Sequence, residues 1–129
     1  MLAADTNVWA RAYLNDDATQ AAKARSALAQ ACSGDGVFIP LIVLAELSRV
    51  LRSRWERERI LNAIDNLLQT RGVTVESPVL VRRALAAARQ GAVGFADHLI
   101  AEISFEFGTG ETITFDKNFG RKPRVRRLK

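Results

Sequence analysis

The sequence is poor in the residues that covalent cross-links and zinc sites require. Among 129 residues it has one cysteine, Cys32, and one histidine, His98. A single cysteine cannot form an internal disulfide, and no Cys/His spacing of a structural zinc site is present. Nucleophilic catalysis by Ser or Cys is not indicated either, because Cys32 has no histidine near it in sequence. A chain of this length and ordinary apolar content can instead bury a core of its own.

Long apolar runs are absent as well. The longest, residues 37–45, is broken by Pro40, whereas a membrane-spanning helix needs about 18 residues. The N-terminal residues do not show a basic segment followed by an apolar one. Asp5 falls where the apolar segment of a signal peptide would lie. We therefore expect a protein with no membrane span and a cytoplasmic location.

Acidic residues are missing from the last thirteen positions. All fourteen acidic residues lie within residues 1–116, which also hold twelve Lys and Arg and so carry a net charge of −2. Residues 117–129, here called the basic tail, hold the other seven Lys and Arg. A basic strip of this kind can hold the phosphates of a nucleic acid. The alternative is a solvated segment that only improves solubility.

Strand and helix signals alternate along the chain. They predict strands at residues 2–5, 37–39, 73–75 and 112–115, a short fifth strand at 125–128, and six helices between them. Strands separated by helices pair in parallel and are covered on both faces. We predict a single α/β domain over residues 1–129, with three layers, α/β/α, and a parallel sheet of four to five strands. In the last helix we expect Leu99, Ile100, Ile103 and Phe107 to be buried.

Four acidic residues occupy places that such a fold would bring to one edge. Asp5 and Asp116 each close a predicted strand, and the carboxyl ends of parallel strands collect ligands. Asp97 falls in the first turn of its helix, where the helix dipole stabilises a carboxylate, and Glu46 precedes the buried position of Leu47. Four close carboxylates repel one another by about 4 kcal/mol per pair at 4 Å. A divalent cation removes that cost, so the pattern indicates a metal site of oxygen ligands.

Each of these acidic residues also has a purely structural interpretation. Asp5 would cap the helix that follows it, and Asp97 would be an acid at a helix start. Asp116 would be a turn residue, and Glu46 a surface glutamate. Any one of these readings is as good as the functional one, but all four acids at the right topological places favour a shared site.

Four short motifs containing these acids resemble those of PIN-domain nucleases. They are the segments 5–8 (DTNV), 45–51 (AELSRVL), 95–101 (FADHLIA) and 114–119 (TFDKNF). The resemblance extends from residue 2 to about residue 126, with the motifs in the same order and on the same kinds of element. In length and single-domain form the chain is most similar to the VapC toxins of bacterial toxin–antitoxin pairs.

The resemblance implies a metal-dependent endoribonuclease with a PIN-like fold that hydrolyses RNA phosphodiester bonds. It implies that Asp5 and Asp97 are the principal ligands of Mg²⁺ or Mn²⁺. Asp116 and Glu46 would complete the catalytic acids, holding a second metal ion or orienting the attacking water. The family further implies a homodimer and a cognate antitoxin, whose C-terminal segment lies across the helices of the toxin and blocks its active site.

Several polar residues beside the acids are candidates for substrate binding. Thr6, Asn7 and Thr114 would donate hydrogen bonds to a phosphate or orient the metal ligands. Alternatively, Thr6 and Asn7 would only cap the first helix, and Thr114 would be an ordinary strand residue. Lys117 opens the basic tail and would hold a phosphate. Arg11, one helical turn beyond Asn7, would contact either the substrate or an acid, and an ion pair at the surface is an equally good interpretation.

Two clusters outside the motifs have less specific interpretations. Trp9, Tyr13 and Trp55 would stack on bases, although packing is the more ordinary use of such residues. Five arginines between residues 49 and 59 would bind RNA or an acidic partner segment, although two glutamates dilute them. His98 follows Asp97 directly and points about 100° away from it on a helix, so we interpret it as structural or surface.

Two other classes of function remain open. A phosphotransfer or phosphatase domain would use Asp5 as a nucleophile, but it would carry a second acid where Asn7 stands. A non-catalytic RNA- or protein-binding module on the same fold would tolerate the loss of acids, whereas all four are present here.

Overall fold

Every strand of the protein pairs in parallel, but the strands form two sheets rather than one. The computed structural model describes residues 1–129. The chain divides into two compact units, Met1–Pro78 and Val79–Lys129, here called the first and the second unit. The first sheet has the strand order β1-β2-β3 and the second pairs β4 with β5.

The first unit contains three strands and four helices. Their bounds are β1 Leu2–Ala3, α1 Thr6–Leu14, α2 Ala18–Ser33, β2 Val37–Ile39, α3 Leu41–Leu51, α4 Arg57–Gln69 and β3 Val73–Val75. In the register of the sheet, Leu2 lies opposite Val37, and Val37 lies opposite Val73. The connection from α2 into β2 runs close to the one from α4 into β3. A Cβ atom on Gly72 would lie 2.4 Å from the backbone oxygen of Cys32, so this approach requires glycine.

The core of the first unit is aliphatic. α3 and α4 each bury one stripe of a helical repeat, and β2 is buried at both ends. The most completely buried side chains of this unit are those of Val37, Ile39, Leu44, Leu47, Leu51 and Ile64. Burying one such side chain contributes about 1.5–3 kcal/mol to folding, so this layer is the main source of stability in the unit.

The second unit contains two helices, a short 3₁₀ turn and two strands. Their bounds are α5 Pro78–Ala88, which begins at the last residue of the first unit, α6 Phe95–Phe107, β4 Thr112–Thr114, the 3₁₀ turn Phe119–Arg121 and β5 Val125–Arg127. A small apolar cluster joins Ala101 of α6 to Phe119 and Val125, with Val93 packed against it. Much of the basic tail is therefore folded, because it supplies the 3₁₀ turn, the fifth strand and two buried side chains.

The predicted packing of α6 is wrong for three of its four apolar residues. Leu99 is buried, but Ile100, Ile103 and Phe107 are 44%, 40% and 89% exposed. The buried face of α6 consists of Phe95, Ala96, His98, Leu99 and Ala101. The three exposed residues form an adjacent apolar stripe, so apolar residues cover more of the helix than its core-facing side.

The prediction of one sheet with four to five strands is wrong. Parallel pairing and the five strands are confirmed, but they are divided between sheets of three and two strands. β1 has two residues, because the chain turns into α1 directly after Ala4, and it pairs with β2 alone. β4 pairs with β5 alone. The three-layer arrangement and the single-domain organisation over residues 1–129 stay predictions.

The sequence predicts no membrane-spanning segment. None of the helices combines the length and the apolar content that crossing a bilayer requires.

Candidate active site

Asp5 lies at the start of α1 in the first unit. It is the N-cap residue, and its Oδ1 accepts a hydrogen bond from the backbone N–H of Val8 at 3.2 Å. The structural interpretation of Asp5 as a helix cap is therefore correct for this oxygen. The residue is exposed, and its Oδ2 has no hydrogen-bond partner in the protein. One carboxylate can thus cap the helix and still offer an oxygen to a cation.

A hydrogen bond connects the residue after Asp5 to the second motif. Thr6 Oγ1 donates to Glu46 Oε1 at 2.7 Å, across forty positions of sequence. Glu46 is exposed on α3 while its neighbour Leu47 is buried, as its place beside the apolar stripe predicted. The bond fixes the direction of the Glu46 carboxylate next to the start of α1. The structure thus brings the first and second motifs together within the first unit.

The other two candidates on α1 have different environments. Arg11 Nη1 donates to Asp16 Oδ1 at 3.0 Å, so the ion-pair interpretation of Arg11 is correct. The hydrogen bond from Arg11 holds the pKa of Asp16 below its usual range. Asn7 is exposed, and with Arg11 it lines a cavity of about 300 Å³ between α1 and α2. Asn7 is therefore the α1 candidate whose side chain is most open to a substrate.

Asp97 lies in the first turn of α6 in the second unit. The helix begins after Gly94, which supplies no side-chain cap, so the carboxylate of Asp97 is the acidic group at this helix start. Asp97 is half-buried and His98 is buried. The interpretation of His98 as a structural residue agrees with this burial.

Asp116 organises the turn that follows β4. Its Oδ1 accepts from the backbone N–H of Phe119 at 2.7 Å, and its own N–H donates to Thr114 Oγ1 at 3.0 Å. β4 ends at Thr114, two residues before Asp116 rather than directly before it. Oδ2 of Asp116 has no hydrogen-bond partner in the protein, and Lys117 beside it is exposed. Asp116 therefore fits the turn interpretation, and its second carboxylate oxygen remains available to a ligand.

The four acids are divided evenly between the two units. Asp5 and Glu46 belong to the first, and Asp97 and Asp116 to the second. Neither unit groups three or more His, Cys, Asp or Glu side chains so that they could hold a metal ion. The donor chemistry nevertheless suits Mg²⁺ or Mn²⁺, because these ions prefer carboxylate oxygens and retain several waters.

Sequence reasoning missed two features of this region. The Thr6–Glu46 bond has no local signal, because its partners are forty positions apart. The pairing of Arg11 with Asp16 has only a weak sequence signal, because an acid five positions later, just after a short helix, is within reach of an arginine. Thr6 and Thr114 were expected to donate to a phosphate or to orient the acidic ligands. Thr6 donates to Glu46, in agreement with the second interpretation, and Thr114 Oγ1 accepts from the backbone N–H of Asp116.

Comparison with known proteins connects these residues to a family. A search of curated proteins finds no match to the chain. The family model of the PIN domain matches residues 3–125, which include all four acids and both units. PIN domains are generally nucleases. Because the match covers nearly the whole sequence, the chain belongs to the PIN domain family.

Proposed function

We propose that the protein is a metal-dependent endoribonuclease and that Asp5, Glu46, Asp97 and Asp116 are its catalytic acids. The observation that carries the proposal is the family match over residues 3–125, with an acid at each of the four motif positions. The reaction is hydrolysis of an RNA phosphodiester bond. Four acidic residues and no usable nucleophilic Ser, Cys or His favour attack by water over a covalent intermediate.

The chemistry of these carboxylates fits a divalent cation. Asp5, Asp97 and Asp116 are the proposed ligands of Mg²⁺ or Mn²⁺. Asp5 and Asp116 each engage Oδ1 in a backbone hydrogen bond and leave Oδ2 without a partner. When bound, the cation supplies Lewis-acid stabilisation of charge on the phosphate and lowers the pKa of a bound water.

Glu46 is proposed to orient the attacking water and accept its proton. The hydroxyl of Thr6 holds Oε1 at 2.7 Å, so the carboxylate is kept in one direction and Oε2 is left for the water. A general base must lie within hydrogen-bond reach of the proton it takes. Thr6 is therefore a positioning residue for Glu46 rather than a direct phosphate donor.

Substrate contacts are proposed for the exposed polar residues next to the acids. Asn7 is open to a phosphate oxygen beside Asp5, and Lys117 is open to one beside Asp116. Thr6 and Thr114 contribute by orienting these segments. Arg11 contributes only if its ion pair with Asp16 opens. The rest of the basic tail supplies attraction for the RNA backbone.

We further propose that the nuclease acts as the toxin of a toxin–antitoxin pair. The similarity of the chain to VapC toxins supports this role. The proposal includes a homodimer and a cognate antitoxin protein, and it locates the action on RNA in the cytoplasm. Expression of the protein without its antitoxin is then expected to arrest growth.

The direct test is cleavage of a mixed pool of cellular RNA by the purified protein. Parallel reactions contain Mg²⁺, Mn²⁺ or EDTA. The proposal expects discrete fragments with either metal and intact RNA in EDTA, and mapping the fragment ends would identify the target. Absence of cleavage under all conditions, from a protein that is folded by circular dichroism, would contradict it.

A non-catalytic RNA-binding module is the second candidate. It is favoured by one observation, namely that Asp5 and Asp116 each perform a backbone-capping task that would preserve them without catalysis. This candidate predicts RNA binding in the presence of Mg²⁺ without any cleavage, and no binding of Mn²⁺ by the folded protein. The same cleavage reactions therefore separate the two candidates.

A further inference from the structure

The link between α3 and α4 concentrates positive charge. Residues 52–59, here called the arginine turn, contain Arg52, Arg54, Arg57 and Arg59, with Trp55 between them. All lie within the first unit. The first unit carries nine acidic and nine basic residues, and the turn holds four of the basic and two of the acidic ones. Its net charge of +2 is therefore a local excess in a unit that is neutral as a whole.

The backbone of the arginine turn is well held. The N–H groups of Ser53, Arg54 and Trp55 donate to the last carbonyls of α3, at 3.3, 3.0 and 2.8 Å. Ser53 Oγ adds a hydrogen bond to the Val50 carbonyl at 2.9 Å. The backbone that carries the arginine side chains is therefore fixed in position, so less conformational entropy is lost when the arginines bind a ligand.

The positive charges of the turn are not neutralised by its own acids. Arg52 and Arg54 are exposed and form no ion pair, and neither Glu56 nor Glu58 pairs with a base. Burial, and after it the charge of Arg52, lowers the pKa of Arg57.

A ladder of rings supports one of these guanidinium groups from the core. Trp9 is buried, Tyr13 stacks on it at 6.5 Å, and Trp55 meets Tyr13 edge to face at 5.6 Å. The guanidinium of Arg59 lies 3.9 Å from the centre of the Trp55 ring. Burial raises the pKa of Tyr13 to about 12, so this member of the ladder stays neutral. Arg59 itself is exposed, which leaves a flat cationic face at the outer end of the ladder.

We infer that the arginine turn, which contains none of the four proposed catalytic acids, is a binding surface for single-stranded RNA. Arg52 and Arg54 contact phosphates, and a base stacks on the outer face of Arg59. Bases stack on guanidinium planes as well as on aromatic rings. An acidic peptide would need the charges but would make no use of a preformed flat face. The inference rests on the proposed function for its substrate class, since it deepens how RNA is held.

The test is the affinity of the full chain for a labelled single-stranded RNA of mixed sequence, measured by fluorescence anisotropy in EDTA. EDTA prevents metal-dependent cleavage, so binding is read by itself. The double variant Arg52→Ala/Arg54→Ala is expected to bind about tenfold more weakly. Its slope of log affinity against log salt is expected to become shallower by about 0.7 per lost phosphate contact. Arg59→Lys keeps the charge and loses the flat face, so we expect about fivefold weaker binding with an unchanged slope.

Arg82→Ala is the matched control, because Arg82 is an exposed arginine of α5 that forms no ion pair. It is expected to bind RNA as the wild type does. Equal binding by the double variant and the wild type would overturn the inference. Equal weakening by Arg82→Ala would also overturn it, because the attraction would then be non-specific. The inference would also be overturned if an acidic peptide of the same length bound more tightly than the RNA and lost this affinity in the turn variants. That result would assign the surface to a protein partner.

The same proteins separate this inference from the proposed function. If the turn variants lose RNA affinity but the wild type does not cleave RNA in Mg²⁺, the RNA-binding surface is supported and the nuclease proposal is contradicted. If the wild type cleaves RNA in a metal-dependent way and the turn variants bind and cleave RNA as it does, the nuclease proposal is supported and the RNA-binding surface is contradicted. Folding of each variant is checked by its urea unfolding midpoint.

Discussion

The two units of the chain differ in how they use their apolar residues. Of the eleven large apolar residues that are exposed, four lie in the 78 residues of the first unit and seven in the 51 of the second. The first unit closes an aliphatic core between its helices and β2. The second buries one face of α5 and one of α6 and has a small cluster around Phe119, and it exposes Ile100, Ile103 and Phe107 on α6. Exposed apolar groups of this extent are typical of surfaces that associate with other molecules.

Charge divides the units in a different way. The first unit is neutral as a whole, yet it holds the arginine turn. The second carries ten basic and five acidic residues, and most of the excess lies in the basic tail. The comparison teaches that the two units bury similar shares of apolar residues, 16 of 78 and 10 of 51, whereas the second exposes more large apolar side chains. Both units contribute acids and basic surface to the proposed function. The predictions below test this difference, from the largest expected effect to the smallest.

The largest effect on stability is expected for a core residue of the first unit. Leu47 is 1% exposed and Phe107 is 89% exposed. Leu47→Ala should lower the free energy of unfolding by about 3 kcal/mol, from lost burial and the cavity left behind. Phe107→Ala should change it by less than about 0.5 kcal/mol. Urea unfolding of both variants measures the difference. A loss for Phe107→Ala as large as that for Leu47→Ala would show that α6 is covered in solution.

A smaller effect is expected from the hydrogen bond between the first two motifs. Thr6→Val keeps the side-chain volume and removes the donor to Glu46, so stability should fall by about 1 kcal/mol. The rate of RNA cleavage should fall by about tenfold, because the Glu46 carboxylate loses its fixed direction. Thr6→Ser retains the hydroxyl and should cut RNA nearly as well as the wild type. If Thr6→Val cuts as fast as Thr6→Ser, the proposed positioning role is wrong.

The smallest effects are expected from one exposed ion pair in each unit. The hydrogen bond from Arg11 lowers the pKa of Asp16, and that from Arg126 lowers the pKa of Glu111. A carboxylate whose pKa is lower in the folded state stabilises the fold above its unfolded pKa. This contribution is lost as the pH falls through the folded value. Asp16→Asn and Glu111→Gln should therefore lower the urea midpoint slightly at neutral pH.

At a pH below these lowered folded-state pKa values, where both carboxylates are protonated, these two variants should match the wild type. Asp35→Asn, at an exposed acid without a hydrogen bond, serves as the control and should show no such pH dependence. A difference from the wild type that persists at low pH would mean that the pairs act through packing rather than through charge.

The sequence predicted individual elements well because their signals are local. The strands Val37–Ile39 and Val73–Val75 and the helix Phe95–Phe107 lie where the apolar patterns placed them. The division into two sheets was not predictable in this way. Strand pairing depends on partners far apart in sequence, and β1 and β4 are too short to reveal theirs.

Local patterns also misjudged burial on α6. Ile100, Ile103 and Phe107 have the hydropathy of core residues, and nothing in a single sequence distinguishes a stripe that packs inside the protein from one that remains on its surface. Charge and hydrogen bonding were easier to predict where partners are close in sequence. The capping roles of Asp5 and Asp116 follow from a residue three positions later, whereas the bond from Thr6 to Glu46 has no such signal.

The most direct test of the account compares acids from the two units in one cleavage assay. The initial rate of RNA cleavage in Mg²⁺ is measured for the wild type, Asp5→Asn, Asp97→Asn and the control Asp35→Asn. The account predicts a fall of about a hundredfold or more for Asp5→Asn and for Asp97→Asn, and no change for Asp35→Asn, with all proteins folded. Cleavage by Asp5→Asn or Asp97→Asn at the rate of the wild type would contradict the claim that acids of both units perform the reaction.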